Sequence, residues 1–446
     1  MIGVRVLILV AIPAALASNA TDPKNRLDER TFGFFDSGVN MRNIDADYEK
    51  PIDYLVQSKG YPFEKHYVTT EDGYIITMHR IPHGRNVPNP GTPNRKVAVL
   101  GAPLLTLSTI WVMDMPNNSF AFILADRGYD VWLANCRGSS FGKHHTNLTI
   151  YDSQFWHFTL IDIGAKDLAA QIDYALKVSG REQVYYAGMS QGGASLYALL
   201  AKRPDYNKKI RAMAALATFR RVCHINIWWM NAGSTLENYI GRFPIMEVLP
   251  KVSMLGQGCD MADNLCLWYT KYFLYTDVKY LNTSRIPVYM SHFPSGTSKM
   301  NLFYYSQIMQ ESQCEKWNEV REYDYDRSAV SRSTYGGNFF WNVFGETKRI
   351  NPQMYDGSLE PPIMDPNNIH IPIKLYWSDG DRYAPPQEQA FLKKELKSIV
   401  AEFHIADQAW GHYSFGTSPY NASVFLDAAK FFDDCSVGEE YCTYRP

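Results

Sequence analysis

The chain predicts an α/β fold: a mostly parallel central sheet with helices on both faces, interrupted by a large, mainly helical insertion. Three observations carry this. Short β-branched and apolar runs alternate with segments that are apolar at helical spacing, joined by short links, as in a parallel sheet covered on both sides. Residues 183–200 read Q-V-Y-Y-A-G-M-S-Q-G-G-A-S-L-Y-A-L-L, an apolar strand, a sharp turn and an alanine-leucine helix. From about Phe219 to Asn368 strand-like runs become rare, and Trp228, Trp229, Met230, Met246, Phe303, Phe339, Phe340 and Trp341 are scattered through helical or irregular sequence.

Taken in order, a short helical segment around Tyr54 and Leu55 leads into Gly60-Tyr61-Pro62. Residues 65–70 and 74–81 are rich in β-branched and aromatic side chains and are joined by Glu71-Asp72-Gly73, so they predict a hairpin. A proline-rich loop at 88–94 precedes a strand at 96–100, which runs into Gly101-Ala102-Pro103-Leu104-Leu105. Residues 120–127 predict a helix, 129–135 a buried strand and 155–176 a helix that leads to the strand at 184–187. After the alanine-leucine helix come a strand of small residues at 212–217, the insertion, and strands at 371–377 and 403–406.

A length of 446 residues suits one large domain with an insertion, or two domains. A hydrophobic fraction of 46% and a charged fraction of 20% are those of a soluble globular protein, and a net charge of -2 argues against nucleic acid or an anionic membrane surface as partner. Residues 1–17 have the form of a signal peptide: a positive start ending at Arg5, an apolar run to Leu16 and Ala15-Leu16-Ala17 as cleavage site. No later apolar run is long enough to span a bilayer. The expected layout is thus 1–17 signal peptide, 18–218 and 369–446 the two parts of the core, and 219–368 a cap or lid.

Sequons at Asn19, Asn117, Asn147, Asn282 and Asn421 agree with passage through the secretory pathway. Of the seven cysteines, Cys259 with Cys266 and Cys435 with Cys442 are close enough for local disulfides in an oxidising compartment. Cys136, Cys223 and Cys314 remain, and at least one of them stays free or pairs between chains. None has the spacing of a metal site, and no cofactor is expected.

Within the turn, Gly188-Met189-Ser190-Gln191-Gly192 is a G-x-S-x-G pattern, the nucleophile elbow that exposes a serine hydroxyl between strand and helix. A serine hydroxyl is a poor nucleophile at neutral pH and needs a base, with a third group to orient that base. In this arrangement an acid and then a histidine follow the serine in the chain, on loops after later strands. Asp379 and Asp381 follow the strand at 371–377, and His412 follows the strand at 403–406 in Trp410-Gly411-His412. His404 is the rival base, but it lies within a strand. The other histidines, among them His79 and His292, are expected at the surface or satisfied in the core. The residues alone do not separate Asp379 from Asp381.

Gly60-Tyr61-Pro62, Glu71-Asp72-Gly73-Tyr74-Ile75, Pro116-Asn117-Asn118-Ser119, Ala121-Phe122-Ile123-Leu124-Ala125-Asp126, Gly128-Tyr129-Asp130-Val131-Trp132, Arg137-Gly138, Asp167-Leu168, Ser190-Gln191-Gly192 and Ser295-Gly296-Thr297-Ser298 together resemble the acid lipase family, the α/β-hydrolases that include gastric and lysosomal acid lipases. The resemblance spans roughly residues 45–432. It implies the α/β-hydrolase fold, Ser190 as nucleophile, His412 as general base and then acid, and Asp381 rather than Asp379 as triad acid. It implies the backbone N–H groups of Leu104 and Gln191 as oxyanion-hole donors, and a short-loop disulfide at Cys259 and Cys266.

Four positions depart from the family pattern. Ala102-Pro103 stands where the family has His-Gly, Met189 where it has histidine, and Ser414 where it has aspartate. The function implied is hydrolysis of lipid esters, triacylglycerol or steryl ester, at a lipid–water interface by a secreted or lysosomal enzyme whose cap buries the acyl chain. The rival reading, for which Ala102-Pro103 is the only support, is a catalytically weak lipid-binding or storage glycoprotein on the same fold. A third is the same serine chemistry on a peptide or a small non-lipid ester.

Overall fold

The computed structural model describes residues 45–86, 94–225, 227, 246–251, 270–271, 274–309, 319–327 and 349–442. Its strands are β1 (Glu64–Thr69), β2 (Tyr74–Ile81), β3 (Val97–Gly101), β4 (Asp130–Ala134), β5 (His144–His145), β6 (Val184–Met189), β7 (Ile210–Leu216), β8 (Glu247–Val248), β9 (Thr297–Ser298), β10 (Ile373–Ser378) and β11 (Ile399–Ile405). The central sheet runs β1-β2-β4-β3-β6-β7-β10-β11, with β5 on β2. The β1–β2 hairpin and the β2–β4 pair are antiparallel, and every pair from β4 to β11 is parallel.

Burial follows position in this order. All residues of β3, β4 and β6 are buried, as are all of β7 except Arg211, because helices cover both faces of the sheet. The edge strand β1 alternates between more and less exposed positions until Val68. On one face Ile172, Leu176, Leu196, Leu199 and Leu200, from helices Ala169–Ser179 and Gln191–Lys202, pack with Val99, Tyr186 and Met213 of the sheet. On the other, helix Phe120–Asp126 meets helix Asn421–Val437, with the rings of Phe120 and Phe425 stacked 5.0 Å apart. Burial of a ring of this size contributes about 1.5–3 kcal/mol.

The helix expected over 155–176 is broken up. A 3₁₀ turn at Ser153–Trp156 is followed by a short helix at Leu160–Asp162, a π-helical turn at Ile163–Leu168 and the helix Ala169–Ser179. Two local causes separate these pieces. Thr159 and Asp162 form a capping box that starts a new helix, with Asp162 Oδ2 accepting from Thr159 N–H at 3.0 Å. At Gly164 the backbone comes so close to the elbow helix that a Cβ would sit 2.4 Å from Ser195 O.

Of the insertion, the described parts include the antiparallel pair β8–β9 and helices Ile286–Ser291, Lys299–Met309 and Asn351–Met354. Met300, Phe303, Tyr304 and Tyr305 share a core cluster with Leu160, Ala194 and Ala198, so helix Lys299–Met309 is packed directly on the elbow helix. Residues 1–17, Asn19, Cys259, Cys266, Cys314, Trp228, Trp229, Met230, Phe339, Phe340 and Trp341 lie outside the described residues. Among the described residues no helix is long and apolar enough to cross a membrane.

Candidate active site

Strand β6 delivers Ser190, and helix Gln191–Lys202 begins at the next residue. Ser190 has φ 54° and ψ -121°, a conformation costly for a residue with a side chain and kept only where the surroundings impose it. Those surroundings are the end of β7 and the residues after it. Ser190 N–H donates to Leu216 O at 2.9 Å, and Ser190 O accepts from Thr218 Oγ1 at 3.1 Å. The last glycine of the pattern is required by contact: a Cβ on Gly192 would sit 2.2 Å from Gly101 O at the end of β3.

The next two loops leave the same edge of the sheet. β6, β7, β10 and β11 are parallel neighbours whose C-terminal ends align, with Met189 opposite Leu216, Leu216 opposite Tyr376 and Ser378 opposite Ile405. In open α/β sheets the crevice outside these carboxyl ends is where ligands bind. After β10, Asp381 is 2% exposed and accepts from Tyr383 N–H at 2.8 Å and Ala384 N–H at 2.9 Å. After β11, His412 is 1% exposed and places Nδ1 2.8 Å from Asp381 Oδ2 and 3.0 Å from Oδ1.

An ionised carboxylate only accepts, so the Nδ1 facing it carries the proton and Nε2 is left as the basic nitrogen. The His412 loop is closed by Ser414, whose N–H donates to Gly411 O and whose Oγ accepts from Gly411 N–H, both at 3.1 Å. A serine in place of the family's aspartate therefore has a defined structural task. Ser190 and His412 do not hydrogen-bond each other.

Of the two acids left open by the residues, Asp381 faces His412. Asp379 and the rival histidine His404 pair with each other at the surface. Across the elbow, Pro103 O accepts from Thr106 N–H at 3.3 Å and Thr106 Oγ1 at 2.9 Å, a tight turn that fits Ala102-Pro103. The backbone strain falls instead on Leu105, at φ 61°. The N–H groups of Leu104 and Gln191 meet no acceptor among the described residues. Thr218, Ser295, Asn301 and Tyr305 also hold this site, and sequence reasoning gave them no role. Only the string Ser295-Gly296-Thr297-Ser298 signalled that the neighbourhood mattered.

Other expected sites divide. Cys435 and Cys442 are bonded, with S–S 1.98 Å. Cys223, left unassigned by the sequence, is disulfide-bonded as well. Cys136 is free, and burial pushes its thiol up to about 12. Asn117 and Asn147 are exposed and Asn282 is half-buried. Asn421 differs from these three: its side chain is fully buried, with both amide atoms closed off from solvent. His79 and His292 lie in the core; His79 Nδ1 is 3.1 Å from Ser108 Oγ, and the Nε2 of each meets no partner among the described residues.

Residues 114–419 match the family model described as alpha/beta hydrolase fold, and residues 52–115 match the partial alpha/beta-hydrolase lipase region. The chain is 30% identical to gastric triacylglycerol lipase of Homo sapiens over 380 residues, which covers 82% of this chain and 86% of that one. It is 29% identical to the lysosomal acid lipase/cholesteryl ester hydrolase of Homo sapiens over 391 residues, covering 85% and 89%. A lipase of Caenorhabditis elegans is 32% identical over 381 residues, covering 81% and 86%. With its sheet order, its elbow and these matches, the chain belongs to the acid lipase family of the α/β-hydrolase fold, a family of carboxylic ester hydrolases.

Proposed function

We propose that this protein is a serine hydrolase of lipid esters, triacylglycerol or steryl ester, that acts at a lipid–water interface in the secretory pathway, either secreted or in the lysosome. The observation that carries the mechanism is the buried His412–Asp381 pair at 2.8 Å, on loops that open at the same sheet edge as the Ser190 elbow. Ser190 Oγ attacks the ester carbonyl carbon while its proton passes to His412 Nε2, and the carbonyl π electrons move to oxygen. The oxyanion accepts from the N–H groups of Leu104 and Gln191, and each such donor contributes about 3 kcal/mol. Collapse breaks the bond to the alcohol, which leaves with the proton from His412, and the acyl group stays on Ser190. Water then gives a proton to His412 and attacks the acyl-enzyme, and the fatty acid is released as Ser190 recovers its proton.

Asp381 holds His412 in the required tautomer throughout. Residues 219–368 form a cap that shields the acyl chain from water. The names of the relatives support lipid esters as substrates, and exposed Asn117 and Asn147 are compatible with a glycoprotein. The test is labelling of the purified secreted chain with a fluorophosphonate, followed by peptide mass spectrometry. A covalent adduct on Ser190 that disappears in Ser190→Ala is expected. Tight binding of a lipid ester with no adduct and no turnover would instead identify a storage protein. A panel of triolein, cholesteryl oleate and short soluble esters from pH 4 to 8 then ranks the substrates.

A further inference from the structure

The two oxyanion donors lie on different elements, Leu104 on the loop after β3 and Gln191 at the start of the helix after β6, yet a single segment touches both. Ser295 N–H donates to Leu105 O at 2.9 Å, and Ser295 Oγ donates to Thr106 O at 3.1 Å, just beyond Leu104. Further along the same segment, Asn301 Nδ2 donates to Gln191 Oε1 at 3.0 Å and the Tyr305 hydroxyl donates to the same oxygen at 2.9 Å. Gln191 and Tyr305 are each 2% exposed, and Ser295 and Asn301 are 0% exposed, so water cannot replace these bonds.

The segment is itself fixed. Ser298 Oγ donates to Phe158 O at 2.7 Å and accepts from Asn301 N–H at 2.9 Å, while Asn301 Nδ2 also donates to Thr297 Oγ1 at 3.1 Å. Both grips fall where the backbone needs help. Leu105 sits at φ 61°, a conformation that persists only when its neighbours impose it. Gln191 carries a long, flexible side chain directly on the donor residue, and a locked side chain restricts the peptide it hangs from. Burial holds the Tyr305 hydroxyl well above its ordinary range, so it stays a donor across the working pH.

We propose that the segment from Ser295 to Tyr305 positions the oxyanion hole, Ser295 setting the Leu104 arm and Asn301 with Tyr305 setting the Gln191 arm. The proposal rests on the assignment of Leu104 and Gln191 as donors given above. Ser295, Asn301 and Tyr305 are positioning residues: they act through the backbone N–H groups and do not touch the substrate. Because the segment belongs to the stretch assigned to the cap, the cap and the catalytic serine share a scaffold.

The test uses the full-length protein with p-nitrophenyl butyrate and a fluorophosphonate, on Tyr305→Phe, Ser295→Ala, Gln191→Met and the Gln191→Met/Tyr305→Phe double variant. Tyr305→Phe and Ser295→Ala are each expected to lower kcat and the labelling rate about 10-fold with KM held within about 2-fold, short of the 10²–10³ that loss of a whole donor costs. The double variant should lose no more than the worse of its two single variants, since Tyr305 acts through the Gln191 side chain. That non-additivity is a result that mere loosening of the fold would not produce. Wild-type kcat in both Tyr305→Phe and Ser295→Ala, or losses that multiply in the double variant, would overturn the proposal. If the wild type itself neither labels at Ser190 nor turns over ester, the hydrolase reading falls and this inference with it, which is a separate outcome.

Discussion

Asp379 and His404 hydrogen-bond each other at 2.7 Å, with the His404 ring stacked 3.9 Å from that of Trp377 at the outer edge of the sheet. The two residues that compete with Asp381 and His412 for the catalytic roles are thus each other's partners, on the surface. Asp379→Asn and His404→Gln should therefore leave kcat for a soluble ester within about 2-fold of wild type, because an exposed pair of this kind is worth at most about 1 kcal/mol. Asp381→Asn, which puts His412 in the wrong tautomer, should lower kcat about 10⁴-fold. Steady-state kinetics on the three variants decides. A collapse of activity in Asp379→Asn with Asp381→Asn unaffected would reverse the assignment.

Arg137 is 2% exposed and links three parts of the chain. Its backbone N–H donates to Asp167 Oδ2 at 2.9 Å and its Nε to Asp167 Oδ1 at 2.7 Å, while Nη1 and Nη2 reach Asp72 at 2.8 and 2.9 Å. Its guanidinium also lies over the Tyr74 ring at 3.9 Å. The loop after β4, the π-helical turn and the β1–β2 hairpin meet at this one side chain. Asp167→Ala leaves the buried cation with a single carboxylate partner and should cost about 3–5 kcal/mol of stability. Denaturant unfolding followed by tryptophan fluorescence measures it. Arg137→Lys should be destabilising as well, since an ammonium cannot reproduce the planar fork.

How much of this was legible in the sequence depends on the range over which each signal acts. The β1–β2 hairpin, β3, β4 and the elbow are local patterns, and Glu71-Asp72-Gly73 or G-M-S-Q-G announces its own geometry. The buried strands are unbroken apolar runs, so they stand out without any alignment. The grip on Gln191 is different, because Asn301 and Tyr305 lie 110 and 114 residues away and carry no local pattern that points to it. The break in the helix expected over 155–176 was hidden for a related reason. Gly164 reads as a tolerated helix residue until the approach of Ser195 O is known. The burial of Asn421 is likewise invisible, since a sequon has the same letters at the surface and in the core.

Asn421 gives a prediction of its own. Its amide is enclosed at the start of helix Asn421–Val437, where the next residue's N–H donates to Asn118 Oδ1 at 2.9 Å. A glycan attached before folding would prevent that helix from docking. Peptide mapping after enzymatic glycan removal in heavy-oxygen water should mark Asn117 and Asn147 as formerly glycosylated and leave Asn421 unmarked. Full occupancy at Asn421 would contradict the packing of this helix.

His79 and His292 each contribute to the response to acid. Both imidazoles are buried, and burial drives each down to about 3 from an ordinary value of 6.5. At these two sites the folded state therefore binds fewer protons than the unfolded chain between those values, so the contribution of each is full above about 6.5 and is lost as the pH falls. Each histidine costs about 1.4 kcal/mol per pH unit in that window, or about 2 kcal/mol on going from pH 7 to pH 5. Burial pushes the Asp167 carboxyl up to about 6, which acts in the opposite sense but is common to any pair of variants compared. In His79→Leu the side chain no longer titrates, and its bond to Ser108 Oγ at 3.1 Å is lost at every pH alike. The variant should be less stable at pH 7, yet lose about 2 kcal/mol less than wild type between pH 7 and pH 5. Urea midpoints at the two pH values measure this, and parallel losses in the two proteins would show that His79 is not held neutral.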